Sequence, residues 1–223
     1  MCFSATASFG AGAILTAIGA VSLKTANTPK QLPFASIPLI FAAQQIAEGF
    51  LWLSLTNPEY ARFTIPCTYL FLFFAQIFWP TWVPFAALKL EANERKSKLL
   101  KIMTACGAAV SLYFTACIII FPVEGMVQDC HILYVFGYPQ IMTPFVTGFY
   151  AIATIGALMV SSVKGMKTFG ISVLVAYVVT AIFYLDFFVS VWCFFSAILS
   201  ILIVSVVYNL RKSSTAIQAD TGK

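Results

Sequence analysis

Seven runs of apolar residues alternate with short polar gaps along the chain, at residues 3–23, 32–55, 63–88, 99–121, 139–162, 168–185 and 187–210. A helix needs about 20 apolar residues to cross the hydrocarbon core of a bilayer, and each run reaches or approaches that length. Turn-forming or charged segments separate them: Lys24–Gln31, Thr56-Asn57-Pro58, Lys89–Lys98, and the longest gap, Val123–Tyr138. The sixth and seventh runs nearly merge, but together they are too long for one span, and Asp186 marks the turn between them. The pattern predicts an all-α integral membrane protein. It is a seven-helix transmembrane bundle occupying residues 1–210, with a disordered tail at 211–223.

Charge placement adds a direction. Lys24 and Lys30 lie in the first gap, Lys89, Arg95, Lys96, Lys98 and Lys101 at the third, Lys164 and Lys167 in the fifth, and Arg211, Lys212 and Lys223 after the last run. The other gaps hold only Arg62. Basic residues resist translocation and stay in cytoplasmic loops. The N-terminus is therefore expected outside and the C-terminus and tail in the cytoplasm. Lys164 and Lys167 then share a side with Arg211 and Lys212, as two helices between them require.

The chain is 61% hydrophobic and 9% charged, whereas about a quarter of a soluble domain is charged. The formal net charge of +5 sits in short loops and reads as a topology signal, so nucleic acid is not an expected partner; the lipid bilayer is. No basic segment precedes the first apolar run, so no cleavable signal is expected.

Helices in lipid associate by close approach at small residues. Ser4, Ser8, Gly12, Thr16 and Ala20 recur every four residues on the first helix and form a candidate packing stripe; Gly107 with Ser111, and Ser196 with Ser200, are shorter versions. Pro80 and Pro84 interrupt the third helix. Each lacks an N–H, so the carbonyls of Gln76 and Pro80 are freed and need partners or a cavity. Trp79 and Trp82 flank this break.

One charged side chain falls well inside a predicted span. Glu48 shares a helix face with Gln44 and Trp52, four residues away on either side, and Gln45 lies beside them. At about 1.5 Å per residue, Glu48 sits roughly 7 Å outward of the helix midpoint, and Gln76 lies close to the midpoint of the third helix, so the two side chains are expected to meet if these helices are neighbours. An ionisable residue at this depth is a functional candidate. With no Lys or Arg in any span, Glu48 is expected protonated and hydrogen-bonded to Gln44, Gln76 or a freed carbonyl. Gln44, Gln45, Glu48, Gln76 and Trp52 form the candidate site for a proton or small solute. His131, in the long loop, and Asp186 are candidate gate residues over it. One histidine among scattered acids does not make a metal site, and no cofactor is implied. Cys67 and Cys130, or Cys130 and Cys2, are candidates for a disulfide at the outer face.

The opening Met1-Cys2-Phe3-Ser4-Ala5-Thr6-Ala7-Ser8-Phe9, followed in order by Gln44-Gln45, Glu48-Gly49, Trp79-Pro80, His131–Tyr134 and Ser190-Val191-Trp192-Cys193-Phe194-Phe195, resembles a bacterial family of multi-pass membrane proteins with no assigned function. The resemblance spans essentially the whole chain. It implies a cell inner-membrane protein and brings no activity with it. Three better-known seven-span comparisons fail on residues: the seventh run has no lysine for a retinal Schiff base, one histidine is too few for a ceramidase-like zinc site, and Pro139-Gln140 has no counterpart in the first run as two-repeat sugar transporters require.

Two functions remain in view. The first is a transporter for a small solute or proton, built on Glu48, the glutamines and the proline break. The alternative is a sensor or accessory protein that binds another protein or a lipid, with Glu48 serving only the fold. The first requires a cavity reaching Glu48, the second a closed core. An intramembrane enzyme would need a nucleophile beside His131 or Glu48, and no spacing places one there.

Overall fold

The computed structural model describes residues 4–221. Seven helical units are long and apolar enough to cross a membrane: α1 (Ala5–Thr25), α2 (Pro29–Thr56), α3 (Pro58–Leu90), α4 (Glu94–Ile120), α5 (Thr143–Val160), α6 (Met166–Phe183) and α7 (Phe188–Lys212). Local chemistry starts several of them. The Ser4 hydroxyl accepts from the Ala7 N–H at the head of α1, and the Asn93 carboxamide accepts from the Lys96 N–H at the head of α4; such caps satisfy N–H groups that have no partner in the first helical turn.

The all-α expectation needs one correction. The gap between α4 and α5 folds as an antiparallel hairpin of β1 (Val123–Gln128) and β2 (His131–Phe136), with Gln128 opposite His131. Asp129 and Cys130 form its two-residue turn with φ of 46° and 61°, the left-handed pair that tight hairpin turns require. The helical backbone of α7 continues to Thr221, and no proline or glycine interrupts 211–221.

The bundle holds a set of polar side chains within an apolar core and is greasy outside. Ser8, Gln44, Gln45, Glu48, Gln76 and Ser190 are buried, while Ile102, Leu112, Ile119 and Phe183 are each more than 60% exposed. In water this arrangement would leave a large unpartnered apolar surface. It suits an apolar surrounding.

The small-residue stripe on α1 is real but winds differently from expectation. The buried positions are Ser8, Gly12, Leu15, Gly19 and Ser22; Thr16 and Ala20 are exposed. A step of four residues overshoots a helical turn by about 40°, so a stripe kept at that spacing drifts off the contact. Alternating steps of four and three hold the seam against α2. There the helices touch closely: a Cβ on Gly19 would lie 2.7 Å from the Leu39 nitrogen, and one on Gly12 would lie 2.8 Å from Ile46.

The basic gaps gather at one pole. Just past α3, the Glu91 carboxylate accepts from the Ser161 hydroxyl and from both the hydroxyl and the N–H of Ser162, just past α5, as well as from the Asn93 N–H. Lys89, Arg95, Lys164 and Lys167 flank these segments. At the opposite pole the His131 ring stacks on Phe187 with centroids 4.7 Å apart, joining the hairpin to the α6–α7 turn. Partial burial pushes the Glu91 carboxyl up, but the Ser162, Asn93 and Ser161 donors together outweigh it and hold the group below the ordinary carboxylate value. A carboxylate lowered on folding stabilises the fold above its unfolded pKa, about 4.3 for Glu, and that contribution fades as pH falls through the lower folded value. Thermal melts of the protein in detergent between pH 7 and pH 3 should therefore show a loss on acidification that is smaller in Glu91→Gln; equal slopes would show that the clamp contributes nothing.

Candidate functional site

The buried polar residues of α2 meet α3 and α7 near the middle of the bundle. Gln45 lies one turn before Glu48, so its Nε2 donates to Glu48 Oε2 at 3.1 Å. The second carboxyl oxygen accepts from the Ser190 hydroxyl on α7 at 2.5 Å. Glu48 is 2% exposed. Neither of the expected partners bonds it. Gln44 Oε1 accepts from the Trp79 indole at 2.7 Å, and Trp79 is itself held by stacking on Phe41. Gln76 bonds the Tyr138 hydroxyl instead. Trp52 packs among Leu51, Phe71 and Ile132. The five expected residues are thus all buried, but they divide among three bonded groups and an apolar cluster.

This interior is incompletely satisfied. Gln44 also bonds the Cys193 thiol, but Gln45 Oε1, Gln76 Oε1, Tyr134 Oη and Trp192 Nε1 have no hydrogen-bond partner among the described residues. Each buried orphan of this kind opposes folding by about 1–3 kcal/mol, so their concentration around one carboxyl suits a place where polar matter enters.

The break in α3 is a π-helical turn, Phe73–Phe78, placed just before Pro80, with the Trp79 N–H reaching back five residues to the Phe74 carbonyl. Such turns free carbonyls and occur often at functional sites. Two carbonyls here are taken by neighbours: Ala75 accepts from the Tyr150 hydroxyl at 2.7 Å and Ile77 from the Ser111 hydroxyl at 2.5 Å. α5 carries its own π turn at Ile152–Gly156, beginning two residues after Tyr150.

Cavities lie along this seam. Beneath the hairpin is a cavity of about 770 Å³ whose wall includes Gln76, Tyr134, Tyr138, Thr147, Asp186 and Val189. A smaller one of about 60 Å³ shares Gln76, Thr147 and Val189 with it and reaches Tyr150, Trp192 and Cys193. A third, of about 50 Å³, shares those last three residues and extends to Trp79, Phe169 and Ser196. The series runs from the hairpin pole into the bundle. Glu48 is in the wall of none of these three; it stands behind it, bonded to Ser190, the chain neighbour of the wall residue Val189.

Two hydroxyls on the hairpin side complete the picture. Burial, reinforced by the nearby Glu48 carboxyl, pushes Tyr134 well above the ordinary phenol value. Burial also pushes Tyr138 up to about 12, against the opposing bond from Gln76. Both are protonated at neutral pH and act as hydrogen-bonding groups.

The candidate gate residues occupy the same pole. Asp186 borders the large cavity; His131 is buried, with its Nδ1 at 2.7 Å from the Asp129 carbonyl and its ring on Phe187. His131 therefore anchors the hairpin, and Tyr134 is the hairpin residue within electrostatic range of Glu48. No disulfide joins Cys67 to Cys130: Cys130 is exposed in the hairpin turn, whereas Cys67 is half-buried on α3. Cys2 lies outside the described residues. No group of three or more His, Cys, Asp or Glu side chains able to hold a metal occurs among the described residues.

The profile of a family of unknown function, DUF6629, matches residues 1–219. The chain belongs to this family. No curated protein and no solved structure matches it. Membership of a family of unknown function is consistent with the expectation of an uncharacterised family and brings no activity to the site.

Ser190, Tyr134, Tyr138 and Tyr150 were not among the expected site residues. Two had a signal: Ser190 opens the Ser-Val-Trp-Cys segment and Tyr134 closes His131–Tyr134, both among the motifs that carried the resemblance. Tyr138 and Tyr150 had none, since nothing in their local sequence points across the bundle to Gln76 or to a π turn in α3.

Proposed function

We propose that this protein spans a membrane with its lysine-rich pole in the cytoplasm, takes a small solute into the cavity under the hairpin, and couples solute movement to protonation of Glu48. The apolar exterior and the sorting of basic gaps to one pole support the orientation. A bacterial inner membrane is the location favoured by the ordered motifs. The observation that carries the functional reading is the series of cavities descending from the hairpin pole to Trp192 and Cys193, directly in front of the Ser190–Glu48 pair.

The pair supplies a coupling device. When Glu48 is ionised, the Ser190 hydroxyl must donate to it; when Glu48 is protonated, it can donate to Ser190. Gain or loss of one proton thus reverses a hydrogen bond to α7, one residue from the cavity wall. Among the described residues the carboxyl bonds only neutral side chains, Gln45 and Ser190, and intramembrane acids are recurrent members of proton relays.

The test is proton entry into liposomes containing the full-length protein and a pH-sensitive dye, driven by a potassium diffusion potential with a mixture of small organic solutes supplied outside. Wild type should acidify the lumen, and Glu48→Gln should reduce the rate at least tenfold while retaining its helical circular dichroism. Equal rates would remove Glu48 from coupling. If wild type matches empty liposomes, the second reading prevails. In that reading the protein is a sensor or accessory subunit, as favoured by the placement of Glu48 behind the cavity wall with both oxygens bonded.

A further inference from the structure

We infer that the cavity under the hairpin receives an organic cation, of the alkylammonium or quaternary ammonium class. The inference rests on the solute-binding reading above and names its ligand. Among the described residues, the wall of the 770 Å³ cavity contains six aromatic rings, from Phe114, Tyr134, Phe136, Tyr138, Tyr177 and Phe188, one carboxylate, Asp186, and no Lys, Arg or His.

The rings come from opposite sides. Phe136 and Tyr138 pair at 5.1 Å between centroids on the hairpin side, and Tyr177 and Phe188 pair at 5.1 Å where α6 meets α7. Aromatic faces attract a cation placed within about 6 Å of the ring centre, and the attraction is stronger away from water. A quaternary ammonium group suits such walls because it carries charge without demanding hydrogen bonds. Asp186, an exposed residue of the cavity wall, supplies the counter-charge. The remaining charge of this pole points the same way: Glu59, Glu124, Asp129 and Asp186 stand against Arg62. A field of this sign raises the local concentration of cations. An anionic solute would meet neither a basic side chain in the wall nor a favourable field.

The chemistry admits two sources, a free solute or the choline headgroup of a lipid. Choline is the first probe, and 3,3-dimethylbutan-1-ol, its neutral carbon analogue of nearly equal shape, is the second. Binding to the full-length protein in phosphatidylglycerol nanodiscs is read by titration calorimetry. Choline should bind at least tenfold more tightly than the alcohol. Asp186→Asn and Tyr177→Leu should each weaken choline by tenfold or more and leave the alcohol within twofold. Displacement of choline on moving to phosphatidylcholine nanodiscs would support the site and assign its source to lipid; unchanged affinity would support it with a free solute.

Equal affinity for choline and the alcohol, or indifference of choline to both substitutions, would overturn the cation assignment while leaving the solute-binding reading in place. A separate measurement addresses that reading. Thr147→Cys, in the wall of the same cavity, should react with a small methanethiosulfonate reagent, read at that residue by mass spectrometry. If it stays unmodified and neither probe binds, the cavity does not open to solutes and both inferences fall.

Discussion

Gly107→Ala is expected to lower the stability of the bundle by about 3 kcal/mol, the upper part of the range for overpacking a tight contact. A Cβ at Gly107 would stand 1.8 Å from the Pro80 carbonyl oxygen and 2.6 Å from its carbon. That carbonyl cannot step aside as a side chain would. Pro84 has no N–H to receive it, so it is turned out of the α3 ladder toward α4, where only the bare Cα of a glycine fits. The same face of α4 holds the Ser111 hydroxyl that bonds the Ile77 carbonyl, so pushing the helices apart also strips a partner from the π turn. Gly10→Ala and Gly148→Ala are the matched controls, since an added Cβ meets nothing within 4 Å at either. Both should stay within about 0.5 kcal/mol of wild type, or gain slightly from better helix propensity. Unfolding by sodium dodecyl sulfate in mixed micelles reads all three. A Gly107→Ala protein as stable as the controls would mean that α3 and α4 are not in backbone contact.

Much of this contact was legible in the chain. Pro80 and Pro84 announce freed carbonyls, and Gly107 with Ser111 announces a close approach. Their meeting was not, because hydropathy places helices along an axis without saying which faces oppose. The seven apolar units and the buried Glu48 and glutamines follow from run length and from the rarity of polar residues in those runs. The Ser190 partner of Glu48 lies 142 residues away in the chain, and a lone serine in an apolar helix reads as packing. The hairpin was hidden by its turn: Asp129 tolerates a left-handed backbone, but Cys130 in the second position gives no hint of one, where Asn-Gly or Asp-Gly would have. The π turn of α3 was hidden too, since the Tyr150 and Ser111 hydroxyls that donate to its carbonyls arrive from other helices.

Glu48→Ala should destabilise the protein by about 4 kcal/mol, combining two orphaned buried donors at roughly 1–3 kcal/mol each with the cavity left by the side chain. Ser190 and Gln45 would both lose their acceptor in a region where Gln45 Oε1 and Gln76 Oε1 are already unpaired. Glu48→Gln should differ sharply. The new amide is nearly isosteric, one oxygen still accepts from Ser190, and the added N–H₂ can be met by Gln45 once its carboxamide turns, because Gln45 Oε1 has no partner in the wild-type protein. Its stability should fall by less than about 1 kcal/mol. The pair of variants separates the two roles of the residue. A protein that tolerates Glu48→Gln in unfolding experiments yet loses proton entry needs the ionisable group for work and the hydrogen bonds for shape. Equal and small losses for both variants would mean that the Gln45–Glu48–Ser190 bonds hold nothing together, and α7 would then have no polar tie to α2 through which a proton at Glu48 could be felt.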